Sequence, residues 1–379
     1  MELNDLPDEV LLQIFGLLPP LQLDVSVAGV CRRWRELVGA RVVVVRGTSQ
    51  LERLPAGLAA LVAVRRVPGL SAASALLSRA STCARLTHLT LHCELPLDEK
   101  DYTILATFEH LQRLDVFCKK KVLNKDTLLP PAVTTLVVND NMANGFLPTV
   151  CQQTKVEGFH MYGRSLYYSP REMVKFIAAH STHLTELTLR CTEMTDKRYA
   201  VLGECGALRA LRLYSCRLLT WRGVLHLARP RLRCLHLTGA RMVRSRALAT
   251  LLAALPAELQ ELNVSCGWLG AEHEVAAARL ASLRALEAWR CRADGATLVR
   301  LALRLPRLRR LDTDAPMSPA QLADLLAHPA LREVRCGGAE AGGRGAGRVR
   351  VRAAGGGTAC VRGDGDGPSA DLFYHWEDP

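Results

Sequence analysis

The chain has 379 residues, of which 49% are hydrophobic and 23% charged, and its formal net charge is +12. This size and composition fit a globular protein with two domains or one repeat array, and they exclude a small disulfide-stapled scaffold. No run approaches the ~18 to 20 apolar residues of a membrane helix, and the acidic start does not resemble a secretory signal, so we expect a soluble protein with no membrane partner.

The thirteen cysteines indicate a reducing compartment. Their number is odd, they are spread along the chain, and none forms a Cys-x-x-Cys pair. Zinc sites usually draw their Cys or His ligands from two close pairs, so the sequence predicts no metal site and no cofactor. We expect a cytoplasmic and/or nuclear protein whose thiols stay reduced.

The first forty residues predict three short helices. The first covers residues 6–18, with a proline at its start, acidic residues in its first turn and a Pro-Pro pair after it. A second segment covers residues 21–27 and a third covers residues 31–37. Three such helices form too small a core to be secure alone, so their remaining apolar surface requires a partner.

Eleven copies of an apolar pattern, Leu-x-x-Leu-x-Leu in its simplest form, follow between residues 86 and 336. Their spacing is 22 to 28 residues, which falls within the ~20 to 29 residues of leucine-rich repeats. The copies begin at Leu86, Leu111, Val133, Val156, Leu184, Leu208, Leu232, Leu259, Leu283, Leu308 and Leu331. Two weaker turns precede them, around residues 43–45 and 61–67, so we assign the array to residues 41–336.

The last two apolar residues of each copy are two positions apart, so they lie on the same side of a strand. One strand cannot bury that side alone, but stacked copies can, with helices closing the core. Helical periodicity between copies, as at residues 248–255 and 322–326, supports this arrangement. The sequence therefore predicts an α/β fold, a curved leucine-rich-repeat solenoid (horseshoe) with parallel strands on the concave face and helices on the convex face. Cysteines just after the strands, such as Cys216 and Cys291, are interpreted as small buried turn residues.

Strand positions that point away from the core form a candidate binding face. Stacked strands lie ~4.8 Å apart, so outward side chains of successive copies become neighbours. Tyr, Trp and Arg often carry interface energy. The candidate partner-binding residues are His160, Tyr162, Arg190, Arg212, Tyr214, His236 and Trp289. Either this patch binds an acidic or phosphorylated protein, or the array simply displays the polar residues that solubility requires.

The positive charge belongs to the array. Residues 1–40 carry a net −3 and residues 337–379 a net −1, which leaves +16 on the residues between them. This surplus is either a solvated arginine-rich surface or a face that attracts acidic protein. Nucleic acid is the weaker candidate, because the aromatic positions match no known base-reading module and lysine runs are limited to residues 119–121.

Residues 337–379 form a Gly-rich tail that we expect to be partly disordered, with an aromatic C-terminus. Residues 348–352 alternate with period two and predict an edge strand or a cap. The aromatic end, residues 372–376, either folds back onto the last repeats or contacts the bound partner. No phosphate-binding loop, nucleophile elbow or metalloprotease motif occurs in the sequence, so we expect no enzyme activity.

The start of the chain carries a family resemblance. The residues involved are Leu6, Pro7, Glu9, Leu11, Ile14, Phe15, Leu18, Leu23, Val30, Cys31, Arg32, Arg33, Trp34 and Leu37. In order and spacing they match the F-box motif, and with the repeats behind them the chain resembles an F-box and leucine-rich-repeat protein. The resemblance implies an F-box at residues 1–40 that docks on the S-phase-kinase-associated adaptor of an SCF-type cullin-RING ubiquitin ligase. The repeats would then hold a protein substrate for ubiquitination and proteasomal degradation.

The resemblance also transfers site residues. The adaptor-binding residues that it implies are Leu6, Pro7, Glu9, Ile14, Phe15, Leu18, Leu23, Val30 and Trp34. Each apolar member either faces the adaptor or packs the helices together, and one sequence leaves this choice open. The alternative function is a non-degradative leucine-rich-repeat scaffold that binds acidic protein or nucleic acid without recruiting a ligase.

Overall fold

The computed structural model describes most of the chain. The described residues are 3–16, 18, 27–39, 41–45, 54, 58, 60–63, 73–83, 85–93, 99–118, 123, 127–139, 146–153, 155–162, 169–228, 230–265, 269–289, 291, 293–337, 348–352 and 360–364. The chain divides into an N-terminal unit, residues 1–188, and a C-terminal unit, residues 189–379.

The N-terminal unit begins with helices. A 3-10 helix, Leu3–Asp5, precedes helix α1 (Asp8–Gly16), and helix α2 (Arg32–Gly39) follows. Helix α1 begins after Pro7 and carries two carboxylates in its first turn, where they interact favourably with the helix dipole. The predicted second helical segment lies almost entirely outside the described residues.

Parallel strands follow in the N-terminal unit and pair in chain order. They are β1 (Val42–Val45), β2 (Ala60–Ala63), β3 (His88–Cys93), β4 (Arg113–Cys118), β5 (Thr135–Asn139), β6 (Gly158–Tyr162) and β7 (Glu186–Arg190), whose first three residues belong to this unit and pair with β6. The connecting helices are α3 (Ala73–Ala80), α4 (Glu99–Ala106), α5 (Phe146–Gln153) and α6 (Pro170–His180).

The C-terminal unit repeats the pattern. Its parallel strands are β8 (Ala210–Tyr214), β9 (Cys234–Leu237), β10 (Glu261–Asn263), β11 (Ala285–Ala288), β12 (Arg310–Pro316) and β13 (Glu333–Gly337). Its helices are α7 (Asp196–Tyr199), which continues into a 3-10 helix (Ala200–Glu204), α8 (Trp221–Leu227), α9 (Ser245–Ala254), α10 (Ala271–Ala277), α11 (Gly295–Leu303) and α12 (Pro319–Leu326).

The end of the sheet departs from the parallel order. Strand β14 (Arg348–Arg352), at the predicted edge-strand segment, pairs antiparallel with β13, and β15 (Cys360–Asp364) pairs antiparallel with β14. None of the helices in the described ranges combines the length and the apolar character that crossing a bilayer requires.

The apolar residues of the repeat pattern form the core. Leu211 and Leu213 on β8 are fully buried, whereas Arg212 between them is half-buried on the opposite side of the sheet. Helices cover the apolar side, as shown by the ring of Phe159 on β6, which lies 4.7 Å from the ring of Phe176 on α6. The predicted α/β fold of parallel strands and helices in leucine-rich repeats is confirmed.

Turn cysteines are mostly part of this core. Cys191, Cys216 and Cys336 are buried, as the repeat pattern predicts. Cys291 is half-buried, and its Sγ donates to the carbonyl oxygen of Val264 at 2.9 Å. The side chains of the other predicted turn cysteines lie outside the described residues.

Candidate functional site

The N-terminal helices pack around a small apolar core. Leu11 and Phe15 of α1 are buried in it together with Val38 of α2. Val42 of β1 and Ala60 of β2 belong to the same cluster, so the core runs from the helices into the first strands. The helical segment and the start of the repeats are therefore one packed body.

An arginine joins the beginning of this domain to α2. The guanidinium of Arg33 donates to Asp8 Oδ1 at 2.9 and 2.6 Å, to the carbonyl of Asn4 at 2.5 Å and to the carbonyl of Leu6 at 2.7 Å. Two of these bonds satisfy backbone carbonyls that precede α1. A lysine has a single donor point and could not reproduce this planar pattern.

The structure separates the predicted adaptor-binding residues by exposure. Phe15 is 4% exposed and lies 5.2 Å from the ring of Trp34, edge to face, so it supports the domain from within. Leu6, Ile14 and Trp34 are half-buried against the core.

The remaining predicted adaptor-binding residues lie at the surface or outside the described residues. Pro7, Glu9, Leu18 and Val30 are exposed, whereas Leu23 lies outside the described residues. Two further apolar side chains, Leu3 and Val10, are also exposed, and the motif did not point to them. Large apolar residues at the surface of so small a domain mark a surface that a partner can cover.

In the N-terminal unit, the outward face of the sheet carries His160 and Tyr162. Their rings stack at 5°, with centroids 6.4 Å apart. Nδ1 of His160 is hydrogen-bonded to Thr188 Oγ1 at 2.9 Å, and its Nε2 lies 3.7 Å from a carboxylate oxygen of Glu186. His160 is buried, so Tyr162 is the more accessible of the two side chains.

In the C-terminal unit, strands β8 and β9 carry the next predicted residues. Arg212 and His236 are register partners on these neighbouring strands, and Tyr214 follows Arg212 two positions later. Burial lowers the pKa of His236 to about 3, and the positive charges of Arg212 and Arg310 lower it further in the same direction. At neutral pH, His236 is therefore an uncharged imidazole beside a cation.

Arg190 and Trp289 are half-buried in the same unit. Trp289 follows β11, which is separated from β9 by β10. The structure therefore groups Arg212, Tyr214 and His236 and places Trp289 apart from His236.

Beyond β9, the face carries a chain of paired charges that the pattern did not predict. Asn263 Nδ2 donates to Glu287 at 2.7 Å, and Arg310 donates to Glu287 and lies 3.4 Å from Asp312. Arg335 lies 4.0 Å from Asp312 on its other side. Burial raises the pKa of Asp312 to about 6, although both arginines act in the opposite direction. Positive charge in this part of the face is largely compensated.

Three metal-ligating side chain types meet on β9 and β10. Cys234 and His236 are two residues apart on β9, and Glu261 is the register partner of Cys234 on β10. One donor atom from each residue lies within 4.8 Å of the other two. The sequence prediction of no metal site rests on the lack of close cysteine pairs, a criterion that does not detect a cluster of this kind. A Cys-x-His spacing on a strand, next to an acidic residue at the same repeat position, could have indicated it.

The N-terminal helices match a known protein family. The family model described as F-box-like matches residues 3–41. These residues form an F-box-like domain. The family assignment covers this segment of the chain, and the repeats that follow it form the leucine-rich-repeat part.

One solved structure is similar to the chain in fold, and a second has a lower similarity. A chain of the crystal structure of the Rad7 and Elc1 complex in yeast has a TM-score of 0.50 and 16% sequence identity, covering 86% of this chain and 85% of that one. The leucine-rich repeat-containing protein LegL7 from Legionella pneumophila has a TM-score of 0.35 and 16% identity over 76% of this chain and 86% of its own. No curated protein matches the chain in sequence.

The F-box-like domain and the repeats together offer surfaces for binding. The domain exposes apolar side chains, among them Leu18 and Val30. The sheet presents the polar side chains of its outward positions, among them Arg212 and Tyr214. Such surfaces suit the recognition of two different proteins.

Proposed function

We propose that the chain is the substrate-recognition subunit of an SCF-type cullin-RING ubiquitin ligase. The F-box-like domain binds the S-phase-kinase-associated adaptor, and the repeats bind a target protein that is then ubiquitinated and degraded by the proteasome. The chain itself contributes proximity, because it raises the local concentration of the target beside a conjugating enzyme. It acts in the cytoplasm and/or the nucleus. The observation that carries the proposal is an F-box-like domain at residues 3–41 directly before leucine-rich repeats.

The exposed apolar residues of the domain support adaptor binding. Val30 is 57% exposed and Leu18 is 37% exposed, while the buried cluster around Leu11 and Phe15 holds the helices that carry them. Covering apolar surface contributes roughly 25 cal/mol per Å² removed from water. A partner with an apolar groove would therefore be favoured here.

Adaptor binding is tested by placing a charged side chain on this apolar surface. Val30→Asp is expected to weaken co-purification with the adaptor at least tenfold, because the carboxylate would be desolvated in the interface. The matched control is Val275→Asp on α10, where the valine is 67% exposed. Equal recovery of the adaptor with both variants, at unchanged melting temperatures, would refute adaptor binding through this surface.

The identity of the adaptor is tested in the same experiment. The yeast structure that shares the fold is a complex of Rad7 and Elc1, so Elc1 is the second probe. We expect binding to the S-phase-kinase-associated adaptor. Binding to Elc1 alone would keep the fold and the domain but refute an SCF-type assembly.

The region of β8 and β9 supports recognition of an acidic or phosphorylated target. Arg212 and Tyr214 lie there beside the neutral His236. A guanidinium binds carboxylate or phosphate oxygens in a bidentate manner. An acidic segment would therefore find a guanidinium and an aromatic side chain side by side on β8.

Charge reversal tests this surface. The double variant Arg190→Glu and Arg212→Glu is expected to lose the target while retaining the adaptor. The control reverses the same number of charges at Arg241 and Arg246, which are exposed at the turn before α9 and on α9 itself. Loss of the adaptor as well would indicate misfolding, and target capture equal to that of the control would refute the assigned surface.

Degradation is tested by trapping the target. Deleting residues 1–40 would expose Val42 and Ala60, which share the helical core, so Val30→Asp is the better trap. Target proteins are expected to accumulate on this variant in cells and to lose ubiquitin conjugates relative to the parent chain. A partner whose abundance and ubiquitination are the same with both chains would support the non-degradative scaffold instead.

A further inference from the structure

The cluster of Cys234, His236 and Glu261 has the geometry of a metal site on the outward face of the C-terminal unit. The alternation of a strand places Cys234 and His236 on one side of β9. The parallel register places Glu261 of β10 opposite Cys234. Two positions on one strand and one on its neighbour form a triangle of ligands.

The distances are close to those of a bound ion. The three donor atoms lie within 4.8 Å of one another, and His236 Nε2 lies 4.0 Å from Glu261 Oε2. Zinc bonds of about 2.0 to 2.3 Å in tetrahedral geometry require donors roughly 3.3 to 3.8 Å apart. A change of rotamer at Glu261 can shorten the distances between its carboxylate and the other two donors, because this side chain is 52% exposed.

Two of the three ligands are held in place by burial, and the third is accessible to solvent. Cys234 is 6% exposed and the side chain of His236 is 18% exposed, so the strand holds these two donors. Glu261 lies at the solvent side and leaves an entry path for an ion. A site with three protein ligands keeps a fourth position open to water or to another molecule.

The charges fit a divalent cation. A thiolate and a carboxylate supply two negative charges, and the imidazole supplies none. The guanidinium groups of Arg212 and Arg310 are close enough to act on His236, and their positive charge opposes the binding of a cation. The charge of Arg310 is already compensated by Glu287 and Asp312.

The donor types select the metal. Sulfur and imidazole nitrogen favour zinc over magnesium or calcium, which prefer oxygen ligands. We propose that Cys234, His236 and Glu261 form a zinc site whose fourth position opens on the outward face of the sheet. The site is independent of the F-box-like domain and of any ligase.

The test uses the full chain, reduced and stripped of metal by a chelator that is then removed. Titration calorimetry with Zn²⁺ is expected to show one ion per chain, and Co²⁺ is expected to give a thiolate charge-transfer band in the near ultraviolet. Cys234→Ser should abolish the band. Glu261→Gln should weaken zinc binding at least tenfold without affecting the fold, because Glu261 is exposed. Zinc should also raise the melting temperature of the parent chain.

Two controls separate this site from other thiols and carboxylates. Cys291→Ser removes a half-buried thiol outside the cluster, and Glu258→Gln removes an exposed carboxylate near Glu261. Both should bind zinc as the parent does. A Co²⁺ band that persists in Cys234→Ser, equal zinc affinity in Glu261→Gln and Glu258→Gln, or no zinc binding by the parent would overturn the proposal. If Cys234→Ser does not fold, the Glu261→Gln comparison decides.

Discussion

His236 offers a direct test of the electrostatics of the outward face. Its imidazole is largely buried on β9, and burial together with Arg212 and Arg310 lowers its pKa from 6.5 to about 3. Replacing it with glutamine keeps a polar group of similar reach but removes the titration. The perturbation therefore changes the pH dependence of stability more than stability at neutral pH.

The expected magnitude follows from proton linkage. Below pH 6.5, the histidine takes up a proton in the unfolded chain but not in the native one, so stability falls as the pH decreases toward the native pKa of about 3. Each pH unit in this window costs about 1.4 kcal/mol, which gives a loss of about 2 kcal/mol at pH 5. Above pH 6.5, the two states bind the same number of protons at this site and the contribution to the slope disappears.

The assay is denaturant unfolding at pH 7.5 and at pH 5, with EDTA present to keep the site free of metal. The loss of unfolding free energy between these pH values should be about 2 kcal/mol smaller in His236→Gln than in the parent. His110→Gln, at an exposed position, shows what replacement of one histidine does by itself. Equal losses in the parent and in His236→Gln would refute the assignment of a neutral, buried imidazole.

Two other substitutions test packing and backbone conformation. Phe15→Ala should destabilise the F-box-like domain by about 3 to 5 kcal/mol, because Phe15 is buried against Trp34, and the unfolding midpoint followed by tryptophan fluorescence reports the loss. An unchanged midpoint would exclude Phe15 from the core. Gly239 has a φ of +69°, and a Cβ there would lie 3.0 Å from the Cα of Ser215, so Gly239→Ala should destabilise the C-terminal unit by at least about 1 kcal/mol in denaturant unfolding. Stability equal to that of the parent would show that this turn tolerates a side chain.

The repeats were predictable because their rule is local. A strand with apolar residues two positions apart buries one side whatever its neighbours are, so Leu211 and Leu213 could be assigned to the core from the sequence. The division of the F-box-like domain into core and surface was not predictable. Phe15 and Leu18 both fall within the predicted helix of residues 6–18, but α1 ends at Gly16, so Phe15 packs against Trp34 of α2 and is buried, whereas Leu18 lies beyond the helix and is exposed.

The paired charges of the C-terminal unit show another limit of the sequence. Glu287, Arg310 and Asp312 are each outward residues by pattern, but their pairing depends on rotamers across neighbouring strands. The pattern suggested a positively charged face, while the structure shows compensated charge at β11 to β13. The proximity of Cys234 and Glu261 was accessible in principle, since each directly precedes a strand leucine of the repeat pattern, Leu235 and Leu262, which are register partners.

The shared core of the first helices and strands has a mechanical consequence. Val42 and Ala60 pack with Leu11 and Phe15, so a shared apolar core joins the described helices of the F-box-like domain to β1 and β2. A protein bound to α1 or α2 would have its orientation toward β1 and β2 fixed by packing. In a ligase, this fixed orientation would limit which lysines of a target held near these strands come within reach of the conjugating enzyme.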